Sequence, residues 1–120
     1  MNKFENLNIW KKSMELVEKV YEIVGLLPND EKYGLISQIK RSAISVPSNI
    51  AEGSGRNSSK EFLHFLSIAN GSLCELETQI LLATKLKMTT KENTDDIICK
   101  CREIRNMNFS LQRSIKNKHK

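Results

Sequence analysis

Apolar residues recur at three- and four-residue steps along four stretches of this chain, with polar residues filling the intervals. That is the period of an α-helix with one buried face. In the first stretch Trp10, Met14, Val17, Val20, Tyr21 and Val24 make one stripe. Lys11, Lys12, Glu15, Glu18, Lys19 and Glu22 lie opposite, and their mixed signs mark a solvated face. Glu15 and Lys19 form an i,i+4 pair that contributes about 0.3 kcal/mol. The spacing predicts a helix over 7–26. Trp10 and Tyr21 lie on the stripe, so core or interface packing is expected of them rather than a binding platform. Pro28 pushes the residue before it out of the α region and closes the helix. Asn29 or Asp30 then caps the next one, with Glu31 favoured in its first turn by the helix dipole.

The second helix, over 31–52, carries two stripes. Leu35, Ile39, Ala43, Val46 and Ile50 are apolar; Gln38, Arg41, Ser42, Ser45, Asn49 and Glu52 are polar. The polar stripe reads either as a solvated face or as a packed seam or subunit contact. Its short neutral side chains differ from the Lys/Glu mixture of helix one and favour the seam. Pro47 lies inside the helix, where it removes a backbone bond and predicts a kink. Ser48 and Asn49 beside it are placed to bond the freed groups.

The third helix, over 59–86, has the strictest pattern. Phe62, Leu66, Ala69, Leu73, Leu76, Ile80 and Ala83 step 4-3-4-3-4-3, a heptad seam that implies packing at about +20°. Gly71 beside Ser72 implies a close helix approach. A polar linker over 87–93 follows, and Asn93 or Thr94 caps the fourth helix, over 94–116, with a basic tail at 117–120. Ile97, Cys101, Ile104, Asn108, Leu111 and Ile115 form its seam, in which Asn108 fixes register at some cost in stability. The expectation is all-α: one domain over 1–120, an up-down-up-down antiparallel four-helix bundle.

Between helices two and three lies an idiosyncratic turn that contains Pro47, Asn49, Glu52, Gly53, Gly55 and Arg56. Either glycine can take φ > 0 and supply a left-handed C-cap. Ser58 and Glu61 read as a capping box that starts helix three. Arg56 either pins the turn through Glu52 or a carbonyl, the expected role, or reaches an external phosphate.

At these residues the sequence resembles a known family. PSNIAEGSGR, the upstream YGLISQIKRSA and the downstream EFLHFLSIANGSLCELETQ are similar to the 23S rRNA-intervening sequence proteins, from about Phe4 to Lys87. The resemblance implies an all-α bundle that assembles as a homopentamer, with no established enzymatic activity. The related bundle proteins of diversity-generating retroelements imply the same fold and nucleic-acid binding.

Composition narrows the chemistry. Hydrophobic content of 39% and charge of 28% suit a globular helical protein, and no apolar run reaches the roughly 18 residues that span a bilayer. No membrane partner is expected, and the N-terminus lacks an apolar signal core, so a cytoplasmic location is expected. Cys74, Cys99 and Cys101 fit no disulfide framework. Cys99 and Cys101 point about 200° apart on a helix, so all three read as small apolar fillers in a reducing compartment. Glu61 and His64 form an E-x-x-H, but di-iron bundles need a second such unit and two further glutamates. His119 has Lys116 three residues before it, so no metal or cofactor is expected. Glu75 and Glu77 point in different directions and are expected to face Arg41 or Arg56. No nucleophile elbow or phosphate-cradling glycine loop is present, so no catalytic residues are assigned.

Charge distribution supplies the one functional hint. Residues 97–120 hold seven basic groups against Glu103 alone, whereas the other 96 residues hold twelve basic and thirteen acidic groups. At 100° per residue, Arg102, Arg105, Arg113, Lys116 and Lys120 fall within about 80° of one another, opposite the seam. The plain reading is a solvated face with a basic tail. The functional reading is a polyanion-binding stripe that a ring would multiply. The expectation is therefore a non-enzymatic oligomer that binds RNA or DNA, or an RNA-associated protein. The rival is a structural protein–protein interaction module without nucleic-acid binding.

Overall fold

The computed structural model describes residues 4–31 and 34–118. Lys32 and Tyr33, in the predicted first turn of helix two, lie outside the described residues, as do His119 and Lys120. Four helices make the fold: α1 (Asn8–Val24), α2 (Leu35–Ser54), α3 (Ser59–Lys85) and α4 (Lys91–Lys118). Short 3-10 turns at Phe4–Asn6 and Asn29–Glu31 precede α1 and α2. Each helix packs on its neighbour in sequence, and α1 closes the set against α4. Short connections make consecutive helices antiparallel, which gives the expected four-helix bundle, 49 × 22 × 20 Å.

The core is the expected set on three helices and a rotated one on the first. On α3 every predicted seam residue from Leu66 to Ala83 is buried, and Phe62 is half-buried. On α4 Ile97, Cys101, Ile104 and Asn108 are buried, while Leu111 and Ile115 are half-buried. On α1 the buried positions are Ile9, Ser13, Leu16, Val20 and Val24. The predicted Met14 and Tyr21 are 41% and 42% exposed. The apolar arc of α1 is broader than one stripe, and its trailing edge meets α2 and α4. Ser13 enters this core at no hydrogen-bonding cost because its hydroxyl donates to the Ile9 carbonyl at 2.7 Å.

The polar stripe of α2 divides in two. Ser42 is buried, and Ser45 and Asn49 are half-buried, whereas Gln38, Arg41 and Glu52 are exposed. Ser45 Oγ meets Ser72 Oγ of α3 at 2.8 Å, and the Asn49 amide donates to both the Oγ and the carbonyl of Ser45. A polar seam therefore joins α2 to α3 within one chain. Its α3 member is Ser72. Gly71, expected at a close approach, faces open space. Asn108 is the second polar pin: its amide donates to the Leu66 carbonyl at 2.9 Å, and its oxygen accepts from Gln112.

The helix ends agree with the expected caps at α3 and differ at α2 and α4. Ser58 caps α3, accepting from the Glu61 N–H at 3.2 Å; the Glu61 carboxylate accepts in return from the Ser58 hydroxyl rather than its N–H. Asn29 and Asp30 sit in the separate 3-10 turn, and α2 begins after Gly34 without a side-chain cap. The first turn of α4 lies one residue-set earlier than expected, with Thr90 Oγ1 accepting from the Asn93 N–H. The left-handed cap is at Lys87, φ 63°, after α3. Met88 N–H bonds the Ala83 carbonyl and Lys87 N–H the Thr84 carbonyl, a Schellman closure without glycine.

Neither Gly53 nor Gly55 has positive φ, which corrects the expected left-handed turn. Gly55 ends α2 at φ −85°, ψ −3°, a conformation open to any residue. Gly53 is needed for space. A Cβ there would lie 2.7 Å from Phe65 Cβ and 3.0 Å from Phe62 Cδ1. The last turn of α2 thus rests its backbone directly on the Phe65 Cβ and the Phe62 ring of α3. Gly53→Ala is expected to destabilise by about 1–3 kcal/mol through overpacking. Gly55→Ala, whose Cβ makes only ordinary contacts, is expected to be neutral or stabilising by up to about 1 kcal/mol. Urea melts of the two variants check this, and equal effects would refute the assignment.

Candidate nucleic-acid interface

The basic stripe of α4 is divided by its neighbours. Glu77, on α3 and 12% exposed, lies between Arg102 and Arg105. Arg105 Nη1 donates to its Oε1 at 2.8 Å, and Arg102 approaches Oε2 at 3.3 Å through both Nε and Nη2. Neither Arg41 nor Arg56, the expected partners of the α3 glutamates, pairs with Glu77. The α3–α4 packing brings Glu77 to α4 instead, because it flanks the seam one position past Leu76. Two arginines thus share one carboxylate and tie the two helices together. A charged hydrogen-bonded pair of this exposure holds its geometry better than its modest stability contribution implies.

The rest of α4 differs. Glu103, its last acid, reaches away to Lys12 of α1 at 3.5 Å. Lys100 lies 3.9 Å from Asp96. Beyond Glu103 come Arg113, Lys116 and Lys118, all exposed. Among the described residues none of these three pairs with a carboxylate. Arg113 sits over the Phe109 ring, 5.8 Å from its centroid. A groove lined by Ser110, Arg113, Ser114, Asn117 and Lys118 runs along this surface. Lys120, the last candidate, lies outside the described residues. The stripe read from sequence is therefore a tethered half, Arg102 and Arg105, and an unpaired half, Arg113 and Lys116; Lys118, also unpaired, lies about 140° round the helix from Arg113, on the side that borders the α2–α3 turn.

The α2–α3 turn borders this end of the bundle. Lys118, Leu111 and Ser114 line a cavity with Ser54, Arg56 and Asn57. Arg56 bonds Glu52 one turn back, lies 3.9 Å from Glu61, and stacks 4.9 Å from the Phe65 centroid. Those contacts give it a structural place, holding the hairpin shut over Gly53. Glu52 shares that role. Pro47 is buried inside α2, and Asn49 belongs to the serine seam.

His64 is exposed, and its partner in the E-x-x-H, Glu61, is engaged by Ser58 and Arg56. Among the described residues no three His, Cys, Asp or Glu side chains gather as metal ligands, and no helix is long and apolar enough to cross a membrane. The cysteines differ from the fillers expected: Cys74 and Cys99 are exposed and only Cys101 is buried. Burial, reinforced by Glu77 and partly offset by Arg105, pushes the Cys101 thiol up from 9.0 to about 12.

A family model described as 23S rRNA-intervening sequence protein matches residues 5–110. A solved protein of unknown function from the S23 ribosomal protein family, from Bacteroides thetaiotaomicron VPI-5482, superposes with a TM-score of 0.81 at 27% identity. The match covers 87% of this chain and 97% of that one. No protein of curated function matches the chain.

Burial of Cys101 sets a measurable alkaline limit. Above pH 9.0 the unfolded chain releases this thiol proton, while the folded chain holds it until about 12. The unfolded state then binds fewer protons, so stability falls as pH rises through that window. Denaturant melts from pH 8 to 10 are expected to show the intact chain losing stability relative to Cys101→Ala, with no such divergence below pH 9.0. Parallel curves throughout would contradict this. Iodoacetamide is expected to label Cys74 and Cys99 in the folded protein and Cys101 only on unfolding.

Proposed function

From the premise that this chain belongs to the 23S rRNA-intervening sequence protein family, we propose that it is a non-enzymatic, oligomeric bundle that binds nucleic acid through the C-terminal half of α4. The observation that carries the reading is the unpaired cation set Arg113, Lys116 and Lys118 on a helix with no acid beyond Glu103. Cations without carboxylate partners exchange water and counterions for phosphates without first breaking an ion pair, and the released counterions drive the binding. Arg102 and Arg105 extend the same field, half-neutralised by Glu77. The family's name associates it with 23S rRNA, and the neighbour's with a ribosomal protein family, so RNA is the favoured polyanion. The matched region ends at residue 110, so the three unpaired cations lie past it.

Assembly is the second part of the proposal. A shallow apolar groove between α1 and α2 is lined by Trp10, Met14, Val17, Ile44, Pro47 and Ala51. Met14 and Ile44 are 41% and 45% exposed. This is the face of α2 turned away from its serine seam, and it adjoins the N-terminal turn through the Phe4–Trp10 ring contact, centroids 5.2 Å apart. A homo-oligomer, a pentamer as the family resemblance implies, would cover this groove and multiply the α4 field. The subunit contact expected of the polar stripe of α2 would fall instead on Ile44 and Pro47, because Ser45 and Asn49 are engaged in the seam with Ser72 of α3.

Two measurements test the reading. Arg113→Gln, Lys116→Gln and Lys118→Gln together are expected to leave the melt unchanged, weaken RNA binding at low salt and lower the salt slope by about three contacts' worth, roughly 0.7–0.9 per phosphate. Arg102→Gln with Arg105→Gln is expected to destabilise the fold as well, since Glu77 is left half-buried without a partner. No RNA binding by the intact chain would favour a protein–protein interaction module instead. Light scattering is expected to return a multiple of the 13.7 kDa chain mass, and Ile44→Glu to reduce it; a monomer at micromolar concentration would refute assembly.

A further inference from the structure

We propose that Phe109 is a base-stacking platform, which makes the α4 surface selective for single-stranded over duplex nucleic acid; the inference rests on the function proposed above. Phe109 is 63% exposed, against 42% for Tyr21, the other aromatic among the exposed large apolar residues. The Phe109 ring lies in water and takes no part in the core cluster. Its position is not random with respect to charge. At 100° per residue it falls inside the arc of Arg102, Arg105, Arg113 and Lys116, near its centre. Arg105 precedes it by one turn and Arg113 follows it by one turn.

Two further cation–aromatic pairs among the described residues lack these properties. Phe65, beneath Arg56, is half-buried, and its arginine is bound to Glu52 and Glu61. Tyr21, beneath Lys40, has Glu18 and Glu22 beside it on α1, which repel phosphate. Phe109 has no acid on its helix from Asn106 to Lys118. The Arg113 guanidinium, 5.8 Å from its centroid, is at the loose limit of a cation–π contact and leaves the ring face accessible. One helical turn, about 6 Å for four residues, separates ring from guanidinium along the axis. A base on the ring places its own phosphate within reach of Arg113 or Lys116. Stacking needs an unpaired base whose π-face is free, which a strand offers and an intact duplex does not.

The test uses the intact chain and a short labelled RNA strand, alone or annealed to its complement, with binding read by fluorescence anisotropy across a salt series. The strand is expected to bind more tightly than the duplex. Phe109→Ala is expected to weaken strand binding about tenfold, the effect of removing one base–aromatic stack, and to change duplex binding less than twofold. Phe109→Trp is expected to retain or improve strand binding. The salt slope is expected to stay the same in both variants, because no charge is removed. Equal binding of strand and duplex with no effect of Phe109→Ala would overturn the stacking role while leaving the electrostatic reading intact. A fall in oligomer mass in Phe109→Ala would overturn it too, by showing that the ring is covered by a second copy. Absence of binding to either probe would overturn the function proposed above and this inference with it.

Discussion

The last turn of α2 approaches α3 so closely that a single added Cβ at Gly53 would lie 2.7 Å from that of Phe65. That backbone-on-side-chain contact is the constraint from which the functional end of the bundle follows. It draws the hairpin shut, so that Ser58 starts α3 immediately and Arg56 folds back over Phe65 to Glu52 and Glu61. With the turn closed, the C-terminal part of α4 passes beside it, and Ser114 and Lys118 border the same cavity as Ser54 and Arg56. A larger residue at 53 would push α2 from α3 and loosen the serine seam below, where Ser45 and Ser72 meet at 2.8 Å.

Polar contacts across the helix interfaces, Thr84–Thr94 between α3 and α4 among them, set the register of this bundle. Asn108 binds a main-chain carbonyl of α3, and the Ser45–Ser72–Asn49 group joins α2 to α3. An apolar heptad seam tolerates sliding by a turn, whereas a buried amide that loses its carbonyl costs about 1–3 kcal/mol. Register in turn decides which α4 cations are free. With Asn108 opposite Leu66, Glu77 falls between Arg102 and Arg105, while Glu61, at the other end of α3, is engaged by Ser58 and Arg56. The division of the basic stripe is thus a consequence of core packing.

Much of the fold was legible in the residues. Four amphipathic periods, few glycines and prolines, and the Ser58–Glu61 box identify the helices and the sharp α2–α3 hairpin, because helical period and capping are local properties. The α3 seam was read residue by residue, since a strict heptad admits one buried face. The α1 stripe was misread by about one position, because its apolar arc is wide enough for more than one face to be buried. The candidate site was legible as a charge asymmetry and a helical arc, and no further.

The sequence by itself determined the helical class, the bundle order, the α3 and α4 seams and the concentration of positive charge on α4. These depend on spacing along one helix. Tertiary structure alone decided that Gly53 is required for space rather than for positive φ, that the left-handed cap falls on Lys87, and that Cys74 and Cys99 are exposed. It alone decided that Glu77 holds Arg102 and Arg105 while Arg113, Lys116 and Lys118 stay unpaired. Apart from the Lys87 cap, which closes α3 on its own last turn, these depend on how neighbouring helices pack, and helix-to-helix register is not a local property of any stretch of chain.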